Sequence, residues 1–296
     1  MHTYPLLTSA EQLTLPRLIA QPEVIHSKFE DSTHRLWRCE TEDGPMVLKV
    51  CHHDAIAKSS FWYGMNQLFG VDFPNSLGQM YRTHTLLSEH GYFTLPALVA
   101  AVPDRFIATR FLAGEDMQSS LVTDEIIVAL AEHIAGLHQT QHQKWGNLYM
   151  PAYSQTRWGE QLKSALQHMI ANSNKKIPDS LTSEVLANTA LISESDFVPI
   201  MLDLRWDQFR ILNNTHQVSS LALVDLDAFA IGPRSLELVL LEYILTAAQF
   251  NLFKKQYSLK HDWPDYSQQK PSYQLLLFLM NVLGETDIER WMQQND

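Results

Sequence analysis

Hydrophobic residues change period partway along the chain. From about residue 22 to 112 they fall mostly at alternate positions or in short runs, as strands require. From about 119 to 296 they recur mostly every three or four residues, as on one face of a helix. Thr33–Thr41 partly alternates apolar and polar residues, and Met46–Val50 does so more briefly. Between them, Glu42-Asp43-Gly44-Pro45 reads as a turn in which Gly44 takes a positive φ at no steric cost, so the two segments predict an antiparallel hairpin. A helical pattern through Tyr81–Glu89 stops at His90-Gly91, glycine being a natural C-terminal stop. Leu95–Val102 and Arg105–Leu112, joined by Pro103-Asp104, predict a second hairpin, and Gly114 breaks the pattern.

The second regime opens with a strongly amphipathic segment, Asp124–His142, carrying Ile127, Leu130, Ile134 and Leu137 on one face. Gln155–Ala171 and Leu181–Leu191 predict further helices. Phe197–Leu202 is almost wholly apolar and reads as a buried strand. Phe209–Leu212 and Leu221–Val224 flank a turn beginning Asn213-Asn214-Thr215, so a strand-rich insert spans about 197–227. Ser235–Phe250, Tyr273–Val282 and Asp287–Gln293 return to the helical period. No repeat or low-complexity linker interrupts the chain.

Composition narrows the function classes. A length of 296 residues holds one large domain or two lobes sharing a cleft, and 45% hydrophobic with 19% charged residues suits a packed globular core. A net charge of −11 opposes binding to nucleic acid or anionic membranes and leaves a small cationic or neutral molecule as the better partner. Cys39 and Cys51 form no C-x-x-C pair, and the histidines show no zinc spacing, so reduced thiols in a cytoplasmic protein are expected. Met1–Ala20, broken by Pro5, Glu11 and Pro16, does not read as a secretory leader. Leu236–Ala248, the longest apolar stretch, contains Glu237 and Glu242 and is too short and too charged to span a bilayer.

Candidate chemistry concentrates in the insert. In Met201-Leu-Asp203-Leu-Arg-Trp-Asp207-Gln208 an apolar strand ends in an aspartate, with a side-chain amide five residues on. A strand, a turn and a third strand follow, ending in Val224-Asp225-Leu226-Asp227. Two carboxylates are thus delivered by neighbouring strand ends, an arrangement that phosphoryl transfer in kinases uses: one orients the attacking hydroxyl and the other holds magnesium. The amide offers a neutral oxygen that magnesium accepts. The bland alternative, acids in solvated turns, is weakened by the joint spacing with Lys49 in an upstream hairpin. Neither G-x-x-x-x-G-K-[ST] nor G-x-G-x-x-G occurs.

Over about residues 22–250 the chain resembles the aminoglycoside phosphotransferase and choline kinase group of the protein-kinase-like superfamily. Met46-Val-Leu-Lys49-Val is similar to that group's third-strand lysine motif, which implies contact with the nucleotide phosphates. Arg105–Leu112 followed by Ala113-Gly114 resembles its hinge, which implies that Thr109, Arg110, Phe111 and Leu112 line an adenine pocket. The Leu137-His138 pair resembles the end of the group's long helix. Asp203 falls on the catalytic aspartate, Gln208 on the metal-binding asparagine, Asp225 on the magnesium aspartate, and Gly232-Pro233 on the Gly-Asp-Pro that follows. The resemblance implies an α+β, two-lobed kinase-like fold: a small N-terminal antiparallel-sheet lobe, residues 1–113, binding nucleotide, and a larger helical lobe, residues 114–296, with the catalytic loop and substrate site. It implies ATP, Mg2+ and a small-molecule hydroxyl acceptor.

Four features depart from that group. Met201-Leu202 stands where it has His-Gly, and Gln208 replaces asparagine. The loop His26–Thr33 has no glycine, and offers hydroxyls such as that of Ser32 beside Glu30 and Asp31. No glutamate falls near Gln79 or Met80, where the lysine's helix partner belongs. These departures also fit a second reading, a pseudokinase kept as a nucleotide-binding or regulatory module. Of the remaining residues, adjacent His52 and His53 should point to opposite sides and share no ligand. His133 and His138 read as packing or surface residues, and Trp145, Trp158 and Trp206 each read first as core. Trp206 is the aromatic best placed to line a substrate site, and Asp207 and Asp227 are candidates to meet a cationic acceptor or simply face solvent.

Overall fold

The computed structural model describes residues 2–26, 32–212 and 221–293. Five strands, β1 (Glu23–Ile25), β2 (His34–Cys39), β3 (Met46–Cys51), β4 (Leu98–Val102) and β5 (Phe106–Arg110), form an antiparallel sheet in the order β1-β2-β3-β5-β4. Both predicted hairpins are present. Gly44 turns the first at φ 101°, and β4 starts only after Pro96, which cannot donate a ladder hydrogen bond. Alternation sorts β3: Met46, Leu48 and Val50 are buried on one face, while Val47 and Lys49 look into a cleft on the other. The outer face is covered by the N-terminal segment, whose Tyr4, Leu7, Leu15 and Leu18 pack on Trp37, Met46, Leu48 and Phe106. A capping box at Thr8 and Glu11 starts the one-turn helix α1 (Ser9–Gln12) within it, and Glu11 Oε1 accepts from Arg105 Nε at 2.6 Å.

Three helices follow β3: α2 (His53–Ile56), α3 (Ser60–Phe69) and α4 (Met80–His90). The last matches expectation, but the sequence reading passed over α3. Its signals are terminal: the Ser59 hydroxyl caps Trp62 N, and Gly70 closes the C-terminus in the left-handed region. Its buried Trp62, Met65, Leu68 and Phe69 then lie on one face.

The remainder is mainly helical: α5 (Asp124–Leu137), α6 (Trp158–Asn172), α7 (Asp179–Thr189), α8 (Arg234–Ile244), α9 (Ala247–Tyr257), α10 (Lys270–Leu279) and α11 (Ile288–Gln293). Where the hydrophobic period suggested one helix over 235–250, a capping box at Thr246 and Gln249 starts a new one. The helix expected over 124–142 ends at Leu137, and His142 already bridges to Phe197. Two small sheets are inserted: β6 (Gly114–Asp116), β10 (Phe209–Leu212) and β11 (Leu221–Leu223), and β7 (Lys144–Asn147), β8 (Tyr153–Ser154), β9 (Phe197–Met201) and β12 (Phe229–Pro233). The turn at Asn213-Asn214-Thr215 lies outside the described residues. A side chain at Gly114 would collide with the Ile211 carbonyl, so glycine alone permits β6 to pair with β10.

Trp145 and Trp158 are wholly buried in the helical core, beside Phe197 and Tyr273. The architecture is α+β and two-lobed, an antiparallel sheet lobe packed on a larger helical one with a cleft between. Among the described residues, no helix is long and apolar enough to cross a membrane.

Candidate active site

The cleft encloses about 1060 Å³. At one end Ile25, Leu36 and Val47 line it beside the Thr109–Leu112 segment, Val47 pairing with Thr109 in the sheet, and give it an apolar slot. Lys49, Asp203, Gln208, Asp225 and Asp227 occupy the middle, and Ser59–Trp62 with Met280–Gly284 form the far wall.

Asp203 follows β9, and the end of that strand is fixed from beneath. Met201 N donates to Glu237 Oε1 at 2.7 Å. The other oxygen of Glu237 lies 2.9 Å from His138 Nε2, and His138 Nδ1 lies 2.8 Å from the Tyr257 hydroxyl. Glu237 and His138 are buried, so each polar atom here depends on its partner. At the surface of this support, Asp203 Oδ1 accepts from Arg205 Nη1 at 2.8 Å and Oδ2 from Gln208 Nε2 at 2.9 Å. Arg205 Nε also donates to Asp207 Oδ1 at 3.1 Å. Burial pushes the Asp203 carboxyl up to about 7 against the pull of Arg205, with Asp225 and Asp207 adding like-charge repulsion. A carboxylate at that value suits proton abstraction near neutral pH.

Asp225 reaches the same place from the segment after β11. Its Oδ1 pairs with Lys49 Nζ at 3.0 Å, and Lys49 also donates to Val224 O at 3.3 Å. Val224 N donates to Gln208 O at 2.9 Å, tying the two acidic segments together. Burial works against the Lys49 ammonium, but Asp225, Asp227 and Asp203 together raise its pKa above the lysine value. The carboxylate that pairs with Lys49 comes from the segment after β11 and not from α4, which starts at the buried Met80. Burial opposes ionisation of Asp225 as well, yet Lys49 holds its pKa down, whereas burial and the Asp225 charge push Asp227 well up. His34 Nε2 lies 4.0 Å from Asp227, and its ring meets Phe73 edge-on, which stacks on Trp62 at 3.7 Å. Burial, and then Lys49, lower His34 to about 4.

Thr109, Arg110, Phe111 and Leu112 all line the cleft, with the Arg110 guanidinium turned to Asp43 O at 2.8 Å. Ser32 lines it too, its hydroxyl donating to His34 O at 3.1 Å, while residues 27–31 of that loop lie outside the described set. His52 lines the cleft and His53, the first residue of α2, faces Asp104 at 3.7 Å, so the pair diverges, but because the strand has ended at Cys51 and not by alternation along it. Trp206 does not line the cleft. In the turn Trp206–Gln208 its ring packs toward Phe209, at 5.8 Å, and the core. Asp207 and Asp227 do line it, the first engaged by Arg205. The sequence reading missed Arg205, although it sits inside the Asp203–Gln208 motif. It also missed the role of Glu237, whose signal was an acid, one of two, in an otherwise apolar stretch.

No protein-family model and no curated protein matches the sequence. Solved structures do. A macrolide 2′-phosphotransferase type I aligns over 98% of this chain and 96% of its own, with TM-score 0.61 and 13% identity. A choline kinase from Cryptosporidium parvum Iowa II aligns over 92% and 86%, with TM-score 0.53 and 12% identity. An aminoglycoside phosphotransferase, APH(2″)-IIa, solved as a ternary complex with streptomycin and ATP, aligns over 86% and 81%, with TM-score 0.52 and 14% identity. The fold is therefore the kinase-like fold of the aminoglycoside phosphotransferase and choline kinase group.

Proposed function

We propose that the chain transfers the γ-phosphoryl group of ATP to a hydroxyl of a small molecule. The observation that carries this reading is the meeting of Asp203 and Asp225 in one cleft, with Lys49 bound to Asp225 at 3.0 Å. ATP as donor is supported by the ATP held in APH(2″)-IIa. The apolar slot takes the planar base, and residues 1–113 form the nucleotide lobe. Lys49 grips the phosphates. Asp225 and Gln208 supply a carboxylate and an amide oxygen, hard donors of the kind Mg2+ takes, and with Nε2 of Gln208 bound to Asp203 its Oε1 is the atom left for the ion. Among the described residues, no group of three His, Cys, Asp or Glu side chains is arranged to hold a metal; a magnesium ion using one carboxylate is completed by phosphates and water. When bound, the ion offsets the charge of the phosphates. Asp203 orients the acceptor hydroxyl and takes its proton. The engagement of Asp207 by Arg205 leaves a neutral acceptor as suitable as a cationic one.

The test is Asp203→Ala, assayed for ATP consumption against amino sugars, amino alcohols and neutral sugars. A fall in kcat of about 10²–10⁴-fold with magnesium–ATP affinity retained is expected. Calorimetry showing no magnesium-dependent nucleotide binding by the wild type rejects the reading. A second reading is favoured by one observation, the lack of a helix carboxylate at Lys49: a nucleotide-binding module without turnover. It predicts tight magnesium–ATP binding with no phosphorylated product from any acceptor.

A further inference from the structure

The far wall of the cleft is apolar, and none of its lining residues in 59–62 and 280–284 carries a charge. Phe61 and Trp62 lie in the first turn of α3, and Met280, Val282 and Leu283 follow α10. Trp62, Met280 and Val282 are buried, so the apolar side chains a ligand can touch are the half-buried Phe61 and Leu283, which is 36% exposed. The two halves of the wall are fixed to each other and from behind. The Ser59 hydroxyl caps Trp62 N, Ser60 Oγ donates to Met280 O at 3.5 Å, and Lys175 Nζ donates to Phe278 O and Asn281 Oδ1. With Oδ1 engaged, the Asn281 amide keeps Nδ2, a neutral donor, for the cleft.

This wall adjoins the acids of the middle. Trp62 stacks on Phe73 at 3.7 Å, His34 meets Phe73 edge-on at 5.6 Å, and His34 Nε2 stands 4.0 Å from Asp227. A nucleotide with its base beside Thr109–Leu112 and its phosphates at Lys49 ends among those acids. The attacking hydroxyl must then come in line, from the side of the γ-phosphoryl group away from the nucleotide. The body that carries this hydroxyl lies against Phe61 and Leu283. Charge decides what that body is. An ammonium set against an apolar wall loses water without gaining a partner. Asp116, Asp203, Asp207 and Asp225 each already have a cation within 3.1 Å, from Arg210, Arg205 or Lys49. The nearest charges in sequence to the wall that line the cleft, Asp54 and Lys58, are exposed and opposite in sign.

We propose that the far wall selects a neutral acceptor with an apolar face: a hydroxyl compound of the glycoside type, whose apolar group lies on Phe61 and Leu283 and one of whose oxygens accepts from Asn281 Nδ2. Phe61 and Leu283 are specificity-determining residues in this scheme, and polyamines and quaternary amines are poor acceptors. The inference rests on the phosphotransferase reading above and names the acceptor class which that reading leaves open.

The test measures phosphorylation of matched acceptors by the full chain with magnesium–ATP. The neutral set is the methyl, butyl and phenyl glycosides of glucose, galactose and ribose; the cationic set is glucosamine, kanamycin and choline. Within the neutral set kcat/KM should rise about two- to fourfold for each methylene between methyl and butyl. The best glycoside should exceed every cationic acceptor by about tenfold or more. Phe61→Ala should raise the KM of the phenyl glycoside about tenfold and leave those of the methyl glycoside and ATP within about twofold. Phe61 also packs on the core, so Leu283→Glu, at an exposed position, is the second variant: it should weaken the phenyl glycoside and raise kcat/KM for glucosamine about two- to fivefold. Glycoside turnover that ignores the apolar group, or that neither variant alters, overturns the proposal. Turnover of the cationic set alone overturns it and leaves the phosphotransferase reading standing. No turnover of any acceptor overturns it as well. A chain that binds no magnesium–ATP sinks the phosphotransferase reading, and this inference with it.

Discussion

The two ends of the cleft are built by different means. The slot end is made of strands: Ile25, Leu36 and Val47 are fixed by hydrogen-bonded neighbours, and an outer layer at Tyr4, Leu7, Leu15 and Leu18 seals the sheet behind them. The far wall is made of helix ends. Ser60, at the start of α3, reaches Met280 O, beyond α10, at 3.5 Å across 220 residues of sequence. Lys175, beyond α6, donates to Phe278 O at 2.7 Å, Asn281 Oδ1 at 2.9 Å and Glu285 O at 3.1 Å. A ladder fixes position through many equivalent bonds, whereas a junction of helix ends relies on a few side chains. Single substitutions should therefore damage the helix-built parts more than the sheet.

The largest effect is expected beneath the middle of the cleft. Glu237→Ala strands both Met201 N and His138 Nε2 in the core and should cost about 2–3 kcal/mol in urea unfolding. Turnover should fall more than ADP affinity, since Asp203 is displaced and the slot is not. Equal losses in both would break the division between the two ends. Lys175→Met comes next, at about 1–2 kcal/mol. It should leave ADP affinity unchanged; a weaker ADP complex would show that the wall serves the nucleotide.

The smallest effect is expected at the sheet. Its hydrogen bond to Arg105 holds Glu11 down to about 2, against a small opposing effect of burial. The folded pKa lies below the ordinary 4.5, so this contribution is fully present above pH 4.5 and is lost as the pH falls toward 2. Glu11→Gln should cost less than about 1 kcal/mol at neutral pH and flatten the acid limb of a stability–pH curve in that window. A wild-type limb unchanged by the substitution would place the titration elsewhere.

What could be read beforehand follows the same division. Partial alternation exposed the first hairpin and two short apolar runs around Pro103-Asp104 the second, and Lys49, Asp203 and Asp225 were legible because each lies in or just beyond a strand, where the pattern itself marks position. The far wall was not, because Phe61 and Leu283 share it only through tertiary contact. Trp206 was misplaced for a related reason: a turn of three residues sends each side chain its own way, and no period says which one faces the ligand. Arg205 and Glu237 were in plain view, the first without comment inside the Asp203–Gln208 motif and the second as a charge interrupting an apolar stretch. Their meaning lies in what stands 2.8 Å and 2.7 Å away.

The contact between Glu237 and Met201 N fixes a place rather than a side chain. A bond to a main-chain amide is blind to the side chain that amide carries. With β9 anchored through Met201 N, the place where Asp203 stands does not depend on what residues 201 and 202 carry, provided that the acid below them stays.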